Sequence, residues 1–194
     1  MVRAGLTTDR VVRAGAELAD DIGFAELTAS TLARHLGVKV PSLYSHVGGT
    51  PDLRTRVALL ALAELADLAA LAVAGRSGKD ALVALAGSYR DYARDHPGRY
   101  AATRLRLDTE TALASAGPRH AQLTRAILRG YQLTDPEQTH AVRLIGSVIH
   151  GYIDLEAAGG FAHSLPASTE SWHRALDALD VALRAWPAPL PRPR

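Results

Sequence analysis

Residues 27–53, LTASTLARHLGVKVPSLYSHVGGTPDL, decide how this chain is read. Thr28 carries a hydroxyl where a helix N-cap needs one, Leu32, Ala33 and Leu36 follow at helical spacing, and Gly37 supplies the backbone freedom of a tight interhelical turn. A second short helix is expected from near Lys39. Pro41 is acceptable in a first turn, where its missing amide proton is not needed, and Leu43 and Val47 face inward together. Thr50 and Pro51 then repeat the start signal, a capping hydroxyl followed by a first-turn proline. Two short helices joined by a glycine turn are the layout of a helix-turn-helix DNA reader.

On the N-terminal side, Val11, Gly15, Leu18, Ala19 and Ile22 share one helical face, Gly23 closes that helix, and the face can pack across the two helices that follow. On the C-terminal side a long Ala/Leu helix runs from Thr50 to about Ala74. A stripe of Leu82, Leu85, Ala86, Tyr89 and Tyr92 marks a helix over 80–96, and the His-Pro-Gly at 96–98 forces a break before a short one. Further helices are expected from Gly117 to about Gln132, from Asp135 to Gly159, and from a Ser168 or Thr169 cap through Trp186. No stretch alternates as a strand would, so the fold is all-α, with about nine helices. The expected organisation is a three-helix reader over 1–50, a six-helix bundle over 51–187, and a disordered tail, PLPRPR and its neighbour, over 188–194.

Composition narrows the class. With 194 residues, 47% of them apolar, the chain can bury a sizeable core. The absence of cysteine excludes a disulfide framework, a thiolate metal site and a cysteine nucleophile. The start, MVRAGLTTDR, lacks the apolar core of a signal peptide, and Glu64, Asp67 and Arg76 interrupt the Ala-rich runs short of membrane-spanning length. A soluble cytoplasmic chain is therefore expected. The first 56 residues hold seven Lys or Arg against six Asp or Glu. Arg3, Arg10 and Arg13 lead in, and Lys39, Arg54 and Arg56 flank the presumed reading helix, while Glu17, Asp20 and Asp21 sit late in the first helix. So weak a charge shifts the burden of binding onto base contacts and dimerisation.

The run TLARHLGVKVPSLYSHVGGTPDL, preceded by an amphipathic helix ending in Gly23-Phe24, resembles the N-terminal domain of the tetracycline-repressor (TetR) family of transcription regulators. Ala33, Leu36, Gly37, Val38, Leu43, Tyr44, His46 and Leu53 stand in that family's spacing. The C-terminal portion is similar in layout, and Ile149-His150-Gly151 with Ala158-Gly159-Gly160-Phe161 resembles a subfamily marked by a Trp-His-Gly triplet, here without the tryptophan. The resemblance implies a homodimer on a palindromic, inverted-repeat operator, released by a small molecule in the C-terminal bundle, most often as a repressor. It places Lys39, Val40, Pro41 and Ser42 at base edges, Tyr44 and His46 at phosphates, and Thr28 and Ser30 at the start of the supporting helix in a similar role. Where the family usually has a lysine this chain has Thr50, a neutral cap in place of a cationic clamp. Lys39 suits guanine N7 and O6, Ser42 suits several donors or acceptors, and Val40 or Pro41 suits a thymine methyl.

Several residues carry two readings. Tyr44 fits a core aromatic or a phosphate donor, and Arg54 and Arg56 fit solvated helix charges or DNA contacts. Tyr89, Tyr92, Arg104, His120, His150 and Asp154 are polar groups in apolar helices, suited either to an effector pocket for an apolar or aromatic molecule or to ordinary hydrogen bonding. Ile145, Ile149 and Tyr152 on one helix, with Trp172, Leu176, Leu179 and Leu183 on the last, suit a dimer interface, with Gly146 and Gly151 permitting close approach. No metal set, phosphate loop or nucleophile motif is complete, and no cofactor is expected. An enzyme using His150 with Asp154 and a dimeric sensor without DNA binding are the competing functions.

Overall fold

A computed structural model describes residues 6–187 of the chain. The expected disordered tail and Arg3 lie outside the described residues. Among those described there are nine α-helices and no strand. They are α1 Thr8–Ile22, α2 Ala29–Leu36, α3 Thr50–Val73, α4 Gly78–Asp95, α5 Pro97–Ala102, α6 Thr109–Ala114, α7 Gly117–Leu128, α8 Asp135–Ala157 and α9 Ser168–Arg184. The tally meets expectation, yet its membership differs at two places. The segment expected as a second reader helix is one 3-10 turn, Val40–Ser42, continued by a turn in which the amides of His46 and Val47 both donate to the Leu43 carbonyl at 2.8 and 2.9 Å. Only nine residues lie between Gly37 and Val47, β-branched or proline at several positions, which is too few and too poor in helix formers to sustain several α-turns. Conversely, α6 had no apolar stripe to announce it; Asp108 caps it, its carboxylate accepting from the Thr111 amide at 2.9 Å.

The described chain divides into two compact units, whose boundaries fall within α3, α4 and the start of α7. The first holds residues up to Asp67 together with Asp91–Pro118. Its core joins Val11, Ala16 and Ala19 of α1, Leu32 and Ala33 of α2, Leu43 and Val47 of the turn, and Leu53, Val57 and Ala61 of α3. This unit extends beyond the first fifty residues because α5 packs directly on α1. Gly98 sits so close that an added Cβ would collide with the Ala19 carbonyl. Asp20, at the end of α1, is held by the Arg99 amide at 2.8 Å and the Arg99 guanidinium at 2.9 Å, with His96 Nδ1 3.2 Å away. Glu64 of α3 accepts from Tyr92 at 2.9 Å and from Arg99 at 3.3 Å.

The second unit holds Leu68–Arg90 and the residues from Arg119 onward. Leu82, Leu85 and Ala86 of α4 are buried, as are Ile145, Ile149 and Ile153 of α8 and Trp172, Leu176, Leu179 and Leu183 of α9. Arg90 forks onto Glu156 with contacts of 2.8 and 2.5 Å, lies 5.3 Å from the Trp172 ring centre, and so ties α4 to α8 and α9. Tyr152 donates to the Ser168 carbonyl and packs against Phe161 and Trp172, fixing the loop between α8 and α9.

Most of the expected dimer face is buried within the single chain. Ile145, Ile149, Trp172, Leu176, Leu179 and Leu183 are spent inside their own unit, each no more than 4% exposed. Periodicity marks an apolar stripe but not what covers it. The apolar side chains left uncovered on the same two helices are Leu144, Leu155 and Val181, at 37%, 55% and 63% exposure. Gly146 lines a cavity of the second unit.

Candidate DNA interface and effector cavity

The reading turn is built from its ends inward. Thr28 and Thr31 form a reciprocal capping box: the Thr31 amide donates to Thr28 Oγ1 at 3.0 Å, and the Thr28 amide donates to Thr31 Oγ1 at 2.8 Å. Gly37 adopts the left-handed conformation, φ 66°, that ends α2 and redirects the chain. Leu43 and Val47 then drop into the core, 0% and 2% exposed. With those two anchored, Lys39, Pro41, Ser42, Tyr44 and Ser45 are left on the solvent side, and Val40 and His46 are half-buried. Tyr44 is 59% exposed, which settles its place outside the core. Ser30 is exposed in the first turn of α2, while Thr28 is half-buried as its cap.

Three neighbours have intramolecular work. Thr50 Oγ1 accepts from the Ala29 amide at 3.0 Å, so the residue at the family's lysine position pins the start of α3 to the start of α2. Arg54 donates to the carbonyls of Phe24 and Ala25 and lies 5.2 Å from the Phe24 ring centre, holding the 3-10 turn Phe24–Glu26. Arg56 pairs with Asp52 at 2.9 Å. Asp52 also accepts from the Gly48 amide at 2.7 Å; burial works against its charged form, but that amide and Arg56 prevail and hold its carboxyl below the usual range. Sequence reasoning missed Ser45, whose hydroxyl donates to the Ser42 carbonyl at 3.1 Å, and the exposed Arg34 and His35 in the last turn of α2. The signal for the latter pair was present, since cations in a last turn answer the helix dipole.

In the second unit, α4, α7 and α8 line a half-open cavity of about 150 Å³. Leu85, Val142, Ile145 and Ile149 supply its apolar walls, and Tyr89, His120, Thr124 and His150 are the polar side chains that line it. Tyr89 Oη lies 2.5 Å from His120 Nδ1, and its ring meets both His120 and His150 edge-on with centroids 5.7 Å apart. Burial raises the Tyr89 pKa, so the phenol keeps its proton and can donate it to His120. The Thr124 hydroxyl donates to the His120 carbonyl at 3.0 Å. Three of the six candidate effector residues are therefore brought together. The other three are not: Tyr92 bonds Glu64 in the first unit, Arg104 stacks 4.8 Å from the Tyr100 ring centre there, and Asp154 is exposed on α8.

Residues 82–179 match the family described as "Tetracyclin repressor-like, C-terminal domain". The chain is 35% identical over 160 residues to an uncharacterised HTH-type transcriptional regulator of Mycobacterium tuberculosis, covering 80% of this chain and 72% of that one. It is 31% identical over 159 residues to the HTH-type regulator YobS of Bacillus subtilis, covering 82% and 83%. The chain belongs to the tetracycline-repressor family of DNA-binding transcription regulators, which are not enzymes. Among solved structures, a protein of unknown function from Rhodococcus sp. RHA1 superposes with a TM-score of 0.76 at 22% identity, covering 95% of this chain and 99% of that one. A TetR variant from Acinetobacter baumannii AYE in complex with minocycline gives 0.70 at 20% identity, covering 93% and 97%; these likenesses concern the fold. Among the described residues no helix is long and apolar enough to cross a membrane.

Proposed function

We propose that this protein is a homodimeric repressor that binds an inverted-repeat operator and is released by a small molecule held in the cavity of its second unit. In this reading the first unit is the DNA-binding domain, the second is the effector and dimerisation domain, and the protein acts in the cytoplasm. The observation that carries it is the solvent-facing set Lys39, Pro41, Ser42 and Tyr44 on a turn anchored by buried Leu43 and Val47. Lys39 offers donors to a guanine edge and Ser42 to a neighbouring base, while Ser30 and Tyr44 reach phosphates. Two such turns in a two-fold dimer demand two half-sites about one helical turn, or a small multiple, apart.

The test is selection of genomic fragments by the purified protein at moderate salt, followed by binding of the recovered site. An enriched inverted repeat is expected. Lys39→Ala should cost about 1–3 kcal/mol and relax preference at one base pair in each half-site, whereas Tyr44→Phe should weaken all sequences alike. Absence of any enriched repeat would overturn the operator reading, and an unchanged base preference in Lys39→Ala would remove that residue from base readout.

A further inference from the structure

Base readout demands that the reading turn be held in direction as well as in place, since a side chain set at a base edge tolerates little displacement. The apolar anchors Leu43 and Val47 hold it in place, but burial has no direction of its own. Direction comes from hydrogen bonds made by the first residues of α3. Thr50 Oγ1 accepts from the amide of Ala29, the first residue of α2, at 3.0 Å. Arg54, one turn further along α3, donates through Nη2 to the carbonyls of Phe24 and Ala25, in the 3-10 turn that leads into α2. Between them in sequence, Asp52 accepts at 2.7 Å from the amide of Gly48, just after Val47, and Arg56 Nε meets both of its oxygens at 2.9 and 3.0 Å. Three alternate residues of one helix start therefore hold the chain before α2, at the start of α2 and after the reading turn. The same bonds spend the local charge: Arg54 is turned onto backbone carbonyls and the Phe24 ring, Arg56 onto Asp52, and Thr50 carries none.

We infer that Thr50, Asp52 and Arg54 are positioning residues for base readout, holding α2 and the reading turn in register on α3 without touching DNA themselves. This rests on the operator reading above and goes beyond it, since it assigns part of the sequence discrimination to residues that meet neither base nor phosphate. Loss of one of these bonds lets the reader shift on its apolar anchors. Contacts at base edges then suffer, while contacts to the phosphate backbone, which carries no sequence information, are made again. The signature is lost discrimination with non-specific affinity retained.

The experiment compares binding of the full chain to the duplex enriched by genomic selection and to a scrambled duplex of the same length, over a range of salt and well below the melting temperature. Thr50→Val keeps the shape and removes the acceptor. It should lower the ratio of the two affinities by about five- to tenfold, a part of what one base contact supplies, and leave affinity for the scrambled duplex within about twofold. Thr50→Ser returns the hydroxyl and should restore the ratio. Arg54→Gln is the second variant, tested independently of the first. It should lower the ratio while the slope of log affinity against log salt stays that of the parent, because Arg54 neutralises no phosphate. A slope shallower by about 0.9 would place Arg54 on a phosphate and overturn its positioning role. The inference also falls if Thr50→Val weakens both duplexes equally, if it leaves the ratio unchanged, or if Thr50→Ser fails to restore it. A parent that enriches no site, or binds both duplexes alike, removes the operator reading and this inference with it. A parent that discriminates, beside variants that keep its ratio, removes this inference alone.

Discussion

Gly98 shows how much one missing side chain decides. It begins its short helix just after Pro97, and its Cα lies against the carbonyl of Ala19, where a Cβ has no room and the obstacle is backbone rather than a movable side chain. Gly98→Ala must therefore push α5 off α1 and disturb the hold of Arg99 and His96 on Asp20. We expect a loss of about 1–3 kcal/mol, the usual cost of overpacking, read as a lower melting temperature. Gly87→Ala is the control: a Cβ there meets nothing within 4 Å, so replacing a mid-helix glycine should leave stability unchanged or raise it by up to about 1 kcal/mol. Equal melting temperatures for Gly98→Ala and the parent would refute the contact. At this scale the sequence was partly legible. The Thr28 cap and the left-handed Gly37 could be read from local chemistry, because both act within four residues. Gly98 could not, because the residue that requires it is nearly eighty positions away.

At the scale of elements, the helices of the second unit carry two sets of apolar side chains that the sequence pattern merges into one. Trp172, Leu176, Leu179 and Leu183 face inward, and on α8 and α9 the uncovered set is Leu144, Leu155 and Val181. In the proposed homodimer these exposed side chains would be covered by a second copy. Leu155→Glu combined with Val181→Glu places charges where the single chain is open to water, so each subunit should fold while the dimer dissociates. Sedimentation should then report a monomer, and operator affinity should fall because the two half-sites are no longer bound together. A double variant that remains dimeric would move the interface elsewhere. The reading turn gives the opposite lesson. Leu43 and Val47 were assigned inward by spacing alone and are inward, yet the segment between Lys39 and Val47 is a 3-10 turn at Val40–Ser42 followed by a further turn and not an α-helix, since two anchors set its direction without setting its hydrogen-bond pattern.

For the whole molecule, carboxylates link stability to pH in both units. Asp52 serves the first; in the second, Asp180 accepts from Tyr131 at 2.7 Å and from Arg184 at 2.9 Å. Burial opposes ionisation of each, but their hydrogen bonds and cationic partners outweigh it and hold both carboxyls below the ordinary range. A carboxyl depressed in the folded state contributes stability that is fully present above its unfolded pKa and is lost as pH falls through the folded value. The melting temperature should therefore hold near neutrality and drop as pH falls below about 4. Asp180→Asn should lower it at neutral pH and flatten the acid decline; an unchanged acid limb would assign the loss to other groups.

The sequence by itself determined what is periodic or local: the all-α class, the Thr28 cap of α2, the glycine stops of α1 and α2, the inward placement of Leu43 and Val47, and membership in the tetracycline-repressor family. Those features arise from interactions among residues a few positions apart, and a linear pattern can hold them. Only the tertiary structure decided which polar residues meet. Tyr89, His120 and His150 converge from three helices, Tyr92 turns instead to Glu64, and Thr50 is drawn to the Ala29 amide. A polar residue on an apolar helix states that it needs a partner, but the choice of partner belongs to the packing of helices distant in sequence.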